Sequence, residues 1–264
     1  MKKYNKDTDK FILYQLAVQS ADAEADFIDR VYKKTYGRPA TLFREDFCGT
    51  CLISCEWVRL RRANRAYGVD LHAPTLRWGR EHNIAALPDE AAGRIRQIRE
   101  DVRKVTTPKV HIVGAFNFSY FIFKERPVLL AYFKAVRRSL QRQGLFVLDA
   151  YGGWESQQVM KEKTKLKGFT YVWEQSEYNP INDHTQCHIT FRFPDGTTMK
   201  RAFTYDWRLW TLGGIRDALA DAGFSRTEVF WEGEDKEGEG NGIYRQQKRA
   251  ENGPGWNAYV VAWP

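Results

Sequence analysis

The chain has 264 residues, 43% of them hydrophobic and 14% aromatic, with a formal net charge of +8. That composition is ample for a packed core and excludes a globally disordered chain, while the length suits one large α/β domain or one carrying an insertion. No apolar run approaches the roughly eighteen residues of a membrane-spanning helix, and Phe11-Ile12-Leu13 is too short for a secretory signal, so a cytoplasmic enzyme is expected. The positive excess would suit a polyanion, but Arg59, Arg61, Arg62 and Arg65, then Arg137, Arg138 and Arg142, then Lys161 to Lys167 are spread over several segments. Solvated faces account for most of them, and nucleic acid is the less favoured partner.

Residues 1–36 read as an N-terminal helical arm. Asp22 to Lys34 has acids early, basic residues late and Phe27, Ile28 and Val31 on one side, with Gly37-Arg38-Pro39 as the stop. From Thr41 to Asp70 the chain reads as strand, small-residue turn, helix and strand. Extended Thr41-Leu42-Phe43 leads through Glu45 and Asp46 to Cys48-Gly49-Thr50-Cys51. Ile53, Trp57 and Leu60 then recur at helical spacing, and Ala66 to Val69 ends on Asp70. A glycine in such a turn lets backbone N–H groups approach a ligand closely, and a carboxylate about twenty residues further on can accept ribose hydroxyls. The spacing Cys48, Cys51, Cys55 also admits a metal or redox reading, but no second Cys/His cluster completes a tetrahedral set. Small thiols packing a turn are the simpler account, and no metal is expected.

Pro74 opens a further helix, with Trp78 read as core. Ile95 to Ile98 reads as a third strand running into Glu100-Asp101-Val102. Val110 to Ala115 reads as a fourth, running into Phe116-Asn117-Phe118-Ser119-Tyr120. A helix starting at Pro127 carries the stripe Leu129, Phe133, Val136 and Leu140. Leu145 to Leu148 is the fifth strand, ending at Asp149-Ala150-Tyr151. Polar and aromatic residues thus sit at the C-terminal strand tips, where open α/β sheets bind ligands.

After Trp154 the pattern changes. Lys161 to Lys167 reads as a solvated charge run, and Phe169 to Trp173, His188 to Phe193 and Met199 to Phe203 read as antiparallel strands, with Pro194-Asp195-Gly196 a hairpin turn. Residues 154–206 are therefore expected as an inserted β roof. Leu212, Ile215 and Leu219 mark a helix; Thr227 to Trp231 and Ala258 to Ala262 mark two closing strands. Residues 232–255 between them are expected as a long loop or lid.

Glu45-Asp46-Phe47-Cys48-Gly49-Thr50-Cys51 and Gly68-Val69-Asp70-Leu71 resemble the first two motifs of the class I S-adenosylmethionine (SAM)-dependent methyltransferases. Phe47 and Cys51 stand where that family has its flanking glycines. The resemblance implies a seven-stranded Rossmann-like sheet, mostly parallel with an antiparallel closing strand, flanked by helices and carrying the antiparallel insertion, as small-molecule members do. It implies SAM as cofactor, held around Glu45, Phe47, Cys48, Gly49, Thr50, Asp70, Leu71, Asp101, Val102, Phe116 and Asn117, with Asp101 at the adenine amino group. Taken alone, Asp101 reads equally as a helix cap. Asn117-Phe118-Ser119-Tyr120 resembles in part the Asn-Pro-Pro-Tyr motif of enzymes that methylate amide or exocyclic nitrogens, with both prolines absent. Asn117, Tyr120 and Tyr151 are the catalytic candidates. Trp154, Trp173, Tyr178, Trp207 and Trp210 are candidates to line a small-molecule acceptor pocket, with packing as the alternative for many of them. N-methylation is favoured over O-methylation. A nucleic-acid methyltransferase and a nicotinamide-dependent oxidoreductase are the rival readings.

Overall fold

The computed structural model describes residues 4–236, 238 and 240–264. Its frame is an open sheet in the order β3-β2-β1-β4-β5-β12-β10-β11. The elements follow in chain order as α1 (Lys10–Val18), α2 (Ala21–Tyr36), β1 (Leu42–Asp46), α3 (Leu52–Leu60), β2 (Arg65–Asp70), α4 (Ala73–Gly79), α5 (Asp89–Ala92), β3 (Ile95–Arg99), β4 (Val110–Ala115), α6 (Arg126–Ser139) and β5 (Leu140–Gly152). Then come β6 (Met160–Leu166), β7 (Phe169–Asn179), β8 (His184–Arg192), β9 (Thr198–Arg208), α7 (Leu212–Asp221), β10 (Arg226–Glu234), β11 (Gly240–Gln247) and β12 (Trp256–Trp263). Strands β1 to β5 are parallel neighbours, and β12 lies antiparallel between β5 and β10.

Each face of the sheet is covered. Phe27, Ile28 and Tyr32 of α2 and Ile53, Trp57 and Val58 of α3 pack with Phe43, Ile112 and Val147 on one side. Leu129, Phe133 and Val136 of α6 and Ile215 and Leu219 of α7 pack with Val113, Phe146 and Leu148 on the other. Alternate residues of each central strand therefore feed opposite cores, as expected where helices cover both faces. The order reverses between β1 and β4, and a cleft forms outside the strand ends at such a point.

Three expectations change. The sheet has eight strands rather than seven, because β11, within the segment expected as a loop or lid, pairs antiparallel with β10 from Val229↔Gln247 to Glu234↔Gly240. Its Gly, Asn and Gln residues alternate no apolar face, so periodicity gave no strand signal there. The lysine run 161–167 falls largely in β6, the edge of the roof sheet β6-β7-β8-β9, where exposed lysines discourage further pairing. The last roof strand runs on to Arg208, past the expected end of the roof at residue 206, and so takes in Trp207.

The roof's core is Phe169, Ile189, Phe191 and Phe193, and Leu13 of α1 is buried in the same cluster. Helix α1 links the roof to the main sheet. Phe11 contacts both Trp78 (centroids 5.2 Å) and Phe203 (6.0 Å), and Gln15 Nε2 donates to Thr50 Oγ1 at 2.9 Å. None of the helices is long and apolar enough to cross a membrane, among the described residues.

Candidate active site

The turn after β1 is pinned from three sides. Cys48 N–H donates to Val69 O at 3.0 Å, Gly49 N–H to Asp70 Oδ2 at 2.9 Å, and His72 N–H to Asp70 Oδ1 at 2.8 Å. Gly49 has φ +51°, and the turn needs the same hand at Phe47 (φ +55°) and Cys51 (φ +60°). These are the positions where glycine would be free of strain; side chains there are held by packing. The Phe47 ring turns aside to Phe123 (5.7 Å) and Tyr132 (5.6 Å). Cys48 and Cys51 are buried with their sulfurs 3.3 Å apart, in space that Gly68 leaves open, since a Cβ there would meet Cys51 Sγ at 2.7 Å. Gly79 plays the same part for Thr50, whose carbonyl oxygen lies 2.4 Å from where its Cβ would be.

The two acids before the turn face opposite sides of the sheet. Glu45 is buried and accepts from Ser54 N–H at 2.9 Å and Ser54 Oγ at 2.5 Å, fixing the first turn of α3 behind the glycine. Burial, with Asp70 and Asp46 adding to it against the Ser54 bonds, pushes its carboxyl up to about 8. Asp46 forms a buried pair with Arg44 (Nε to Oδ1 2.8 Å) and accepts from Tyr132 Oη at 2.9 Å, while Arg44 also reaches Val105 O and Ser139 Oγ.

Along the cleft, Leu71 is 62% exposed at the lip, Val102 is buried, and Asp101 is engaged by the Nε and Nη2 atoms of Arg103, whose hydrogen bonds hold its carboxyl below the usual range. Asp101 also accepts from Arg103 N–H at 2.9 Å, so it closes a local turn, and no helix follows for it to cap.

The loop after β4 contains two successive left-handed residues, Asn117 (φ +56°) and Phe118 (φ +55°). Their N–H groups point into one carboxylate, Asp149 at the tip of β5, at 2.6 and 2.9 Å. Asp149 joins the candidates here, having been named in the sequence only as part of a strand tip; its partners are some thirty residues away. Burial pushes its carboxyl up to about 7 in spite of those two bonds. Phe116 is buried beside Gly114.

The catalytic and acceptor candidates divide. Tyr120 is fully buried and its hydroxyl donates to Asp149 O at 2.7 Å, so it braces the loop rather than facing the cleft. Asn117 and half-buried Tyr151 are at the strand tips; Tyr151 lies between Phe118 (4.7 Å) and Phe121 (5.6 Å), with its hydroxyl beside the Cys187 thiol and without a conventional hydrogen bond. Trp207 stacks on Tyr205 (4.4 Å), with Trp173 at 6.2 Å and Phe118 at 6.3 Å, so a buried Trp207 backs a cluster of half-buried rings under the roof. Trp210 does not join them. Its indole N–H donates to Phe123 O at 3.1 Å and Arg208 covers its ring at 4.1 Å, a core position set by α6 and α7 packing. Tyr178 donates to Asp183 at the hairpin end of β7, and Trp154 is half exposed on the turn after β5.

Two cavities of about 590 and 570 Å³ open elsewhere, between α7 and β10–β11 and beside β2–β3; the groove over the Gly49 turn is instead roofed by α1. One further acid enters from that side. Glu24, in the first turn of α2, is only 6% exposed, and its Oε2 has no hydrogen-bond partner. Its position among early helical acids had suggested only a dipole role.

No protein-family model and no curated protein matches the chain. Solved structures do. A SAM-dependent methyltransferase from Clostridium acetobutylicum superposes with TM-score 0.68 at 17% identity, over 95% of this chain and 97% of that one. DesVI of Streptomyces venezuelae gives TM-score 0.68 at 16% identity over the whole of both chains. CalS10 of Micromonospora echinaspora, an amino pentose methyltransferase with SAM bound, gives 0.66 at 15% identity, again over both chains in full. The chain has the fold of these methyltransferase structures: a class I α/β sheet with an antiparallel roof over its switch point.

Proposed function

We propose that the protein is a SAM-dependent methyltransferase acting on a small-molecule acceptor, with nitrogen favoured over oxygen. The observation that carries this reading is the 2.9 Å contact between the Gly49 amide and the Asp70 carboxylate at the reversal of strand order. Each carboxylate oxygen keeps a lone pair after its one backbone bond, so Asp70 can still accept from a ribose. Phe47 turning away from the turn, and Gly79 and Gly68 making room behind it, fit an adenosyl ligand lying along the turn.

SAM supplies an activated methyl group on sulfur; the chain supplies position and dryness. Glu45 holds α3 through Ser54 so that the turn amides keep their aim, and Asp149 fixes Asn117 and Phe118 at the reacting end. The half-buried rings of Tyr205, Trp173 and Phe118, backed by buried Trp207, exclude water and flatten one wall for the acceptor. The roof, the sugar N-methyltransferases among the similar folds and the aromatic wall support a small acceptor over nucleic acid. All four cysteines stand as free thiols, which suits a cytoplasmic enzyme.

Calorimetry with SAM, its demethylated product and NAD tests the donor. Micromolar binding of the first two and none of NAD is the expected result; binding of NAD alone would replace the reading by a dehydrogenase. Incubating the enzyme with isotopically labelled SAM and a metabolite extract, followed by mass spectrometry, then identifies the acceptor.

A further inference from the structure

Helix α2 carries two buried acids, and they are treated differently. Asp29 is paired with Lys33 at 2.9 Å and with both Nη atoms of Arg61. Glu24 has no such partner: its Oε2 is buried without a hydrogen bond, and the charges acting on it are those of Asp149, Glu45 and Asp22, all negative. Gln19 Oε1, just before the same helix, is a second buried acceptor with no donor. Solvent-exposed Asp22 already complements the helix N-terminus, so a dipole role does not explain burying Glu24. Leaving a buried acceptor unpaired is costly, and a native fold tolerates it where a ligand completes the site.

Glu24 faces the strand tips. Three residues further along the same helix face, Phe27 stacks on Tyr259 at 4.4 Å, and Tyr259 is the register partner of Asp149. Tyr14 of α1 and Tyr244 of β11 complete the surround, and each of these tyrosines feels the Glu24 charge. Two carboxylates and a set of aromatic rings therefore border one end of the cleft, and the leading charges acting on Glu24 and Glu45 are all acids.

We infer that Glu24, with Asp149 behind it, forms an ammonium subsite, so that the methyl acceptor is an amine and Glu24 takes up the charge that develops on its nitrogen. This rests on the donor reading above. The balance of the step favours it. The amine lone pair forms the new N–C bond as the methyl–sulfur bond breaks and its electrons pass to sulfur. The nitrogen becomes an ammonium centre, and its surplus proton can pass to the Glu24 carboxylate. A carboxylate there gains its partner only as the charge appears, which stabilises the transition state more than the ground state. An alcohol must also give up its proton on transfer, but it brings no ammonium to pair with the acid before or after that step. Burial, with Asp149 and Glu45 adding to it, raises the Glu24 carboxyl well above its usual range, so it holds a proton more tightly than an exposed carboxylate.

The test uses isotopically labelled SAM and a library pairing each primary or secondary amine with the alcohol of the same skeleton, with wild type, Glu24→Gln and Glu24→Asp proteins. Label should enter amines and not their alcohol partners. Glu24→Gln should lower that transfer about 100-fold or more, and Glu24→Asp should restore part of it. Calorimetric SAM affinity within about twofold of wild type would show that both variants keep the donor site. Transfer to the alcohols, undiminished amine transfer by Glu24→Gln, or a SAM-loaded wild type that methylates no amine would each overturn the inference. Failure of the wild type to bind SAM would instead remove the donor reading beneath it.

Discussion

The two halves of the cleft are built on opposite electrostatic plans. On the donor side, the acids before and after the turn have their partners inside the protein: Asp46 has Arg44 and Tyr132, Glu45 has Ser54, and Asp70 has two backbone amides. On the acceptor side, Glu24 has none and Asp149 has amides but no cation. A self-satisfied half can be rigid without ligand and present a fixed surface to adenosine. A half in which Glu24 lies buried without a partner is completed by what binds there, and that is where specificity for charge resides.

Breaking the satisfied half should have the largest effect. Asp46→Ala leaves the Arg44 guanidinium buried without its counter-ion and should cost about 3–5 kcal/mol in denaturant unfolding. If it costs less than about 1 kcal/mol, the pair contributes little and the contrast is wrong.

The pH dependence should report one cation-free buried acid from each half. Asp149 and Glu45 start from 3.8 and 4.5 and are raised in the fold to about 7 and about 8. Between those limits the folded chain binds more protons than the unfolded chain. Their contribution is therefore complete below about pH 4 and is lost as pH rises to about 7 for Asp149 and about 8 for Glu45. The loss per group is bounded at on the order of 4 kcal/mol. Chemical denaturation of ligand-free protein across that range should show stability falling with pH, and Asp149→Asn should flatten the slope. A rise in stability with pH that Asp149→Asn leaves unchanged would mean the group is ionised throughout.

The packing around the turn gives a smaller effect. Alanine normally stabilises a helix relative to glycine, yet Gly79→Ala drives a Cβ into the Thr50 carbonyl and should lose about 1–3 kcal/mol, with weaker SAM binding. Smallest of all is Cys51→Gly. Relief of the left-handed backbone should offset the lost side-chain burial, leaving unfolding free energy within about 1 kcal/mol of wild type.

The same contrast explains what the sequence could convey. The donor half is local: strand, turn, helix, strand and Asp70 lie within one short segment, so spacing alone brought Gly49 and Asp70 together. The acceptor half is assembled from α1, α2, β5, β12 and the roof. Asp149 becomes meaningful only when β5 is laid beside β4, and Glu24 only when α2 is packed over the strand tips. Aromatic content could not tell that Trp207 would stack on Tyr205 while Trp210, three residues later, would give its indole N–H to Phe123 O. Strand β11 was illegible because an edge strand of small polar residues has neither alternation nor an apolar face.

Calorimetric titration of SAM into wild-type protein and into folded Asp70→Ala bears most directly on the donor site. Loss of the charge-assisted hydrogen bonds to ribose should weaken binding by about 1–3 kcal/mol, or roughly 5- to 150-fold. Equal affinity in the two proteins would mean that Asp70 does not hold the donor.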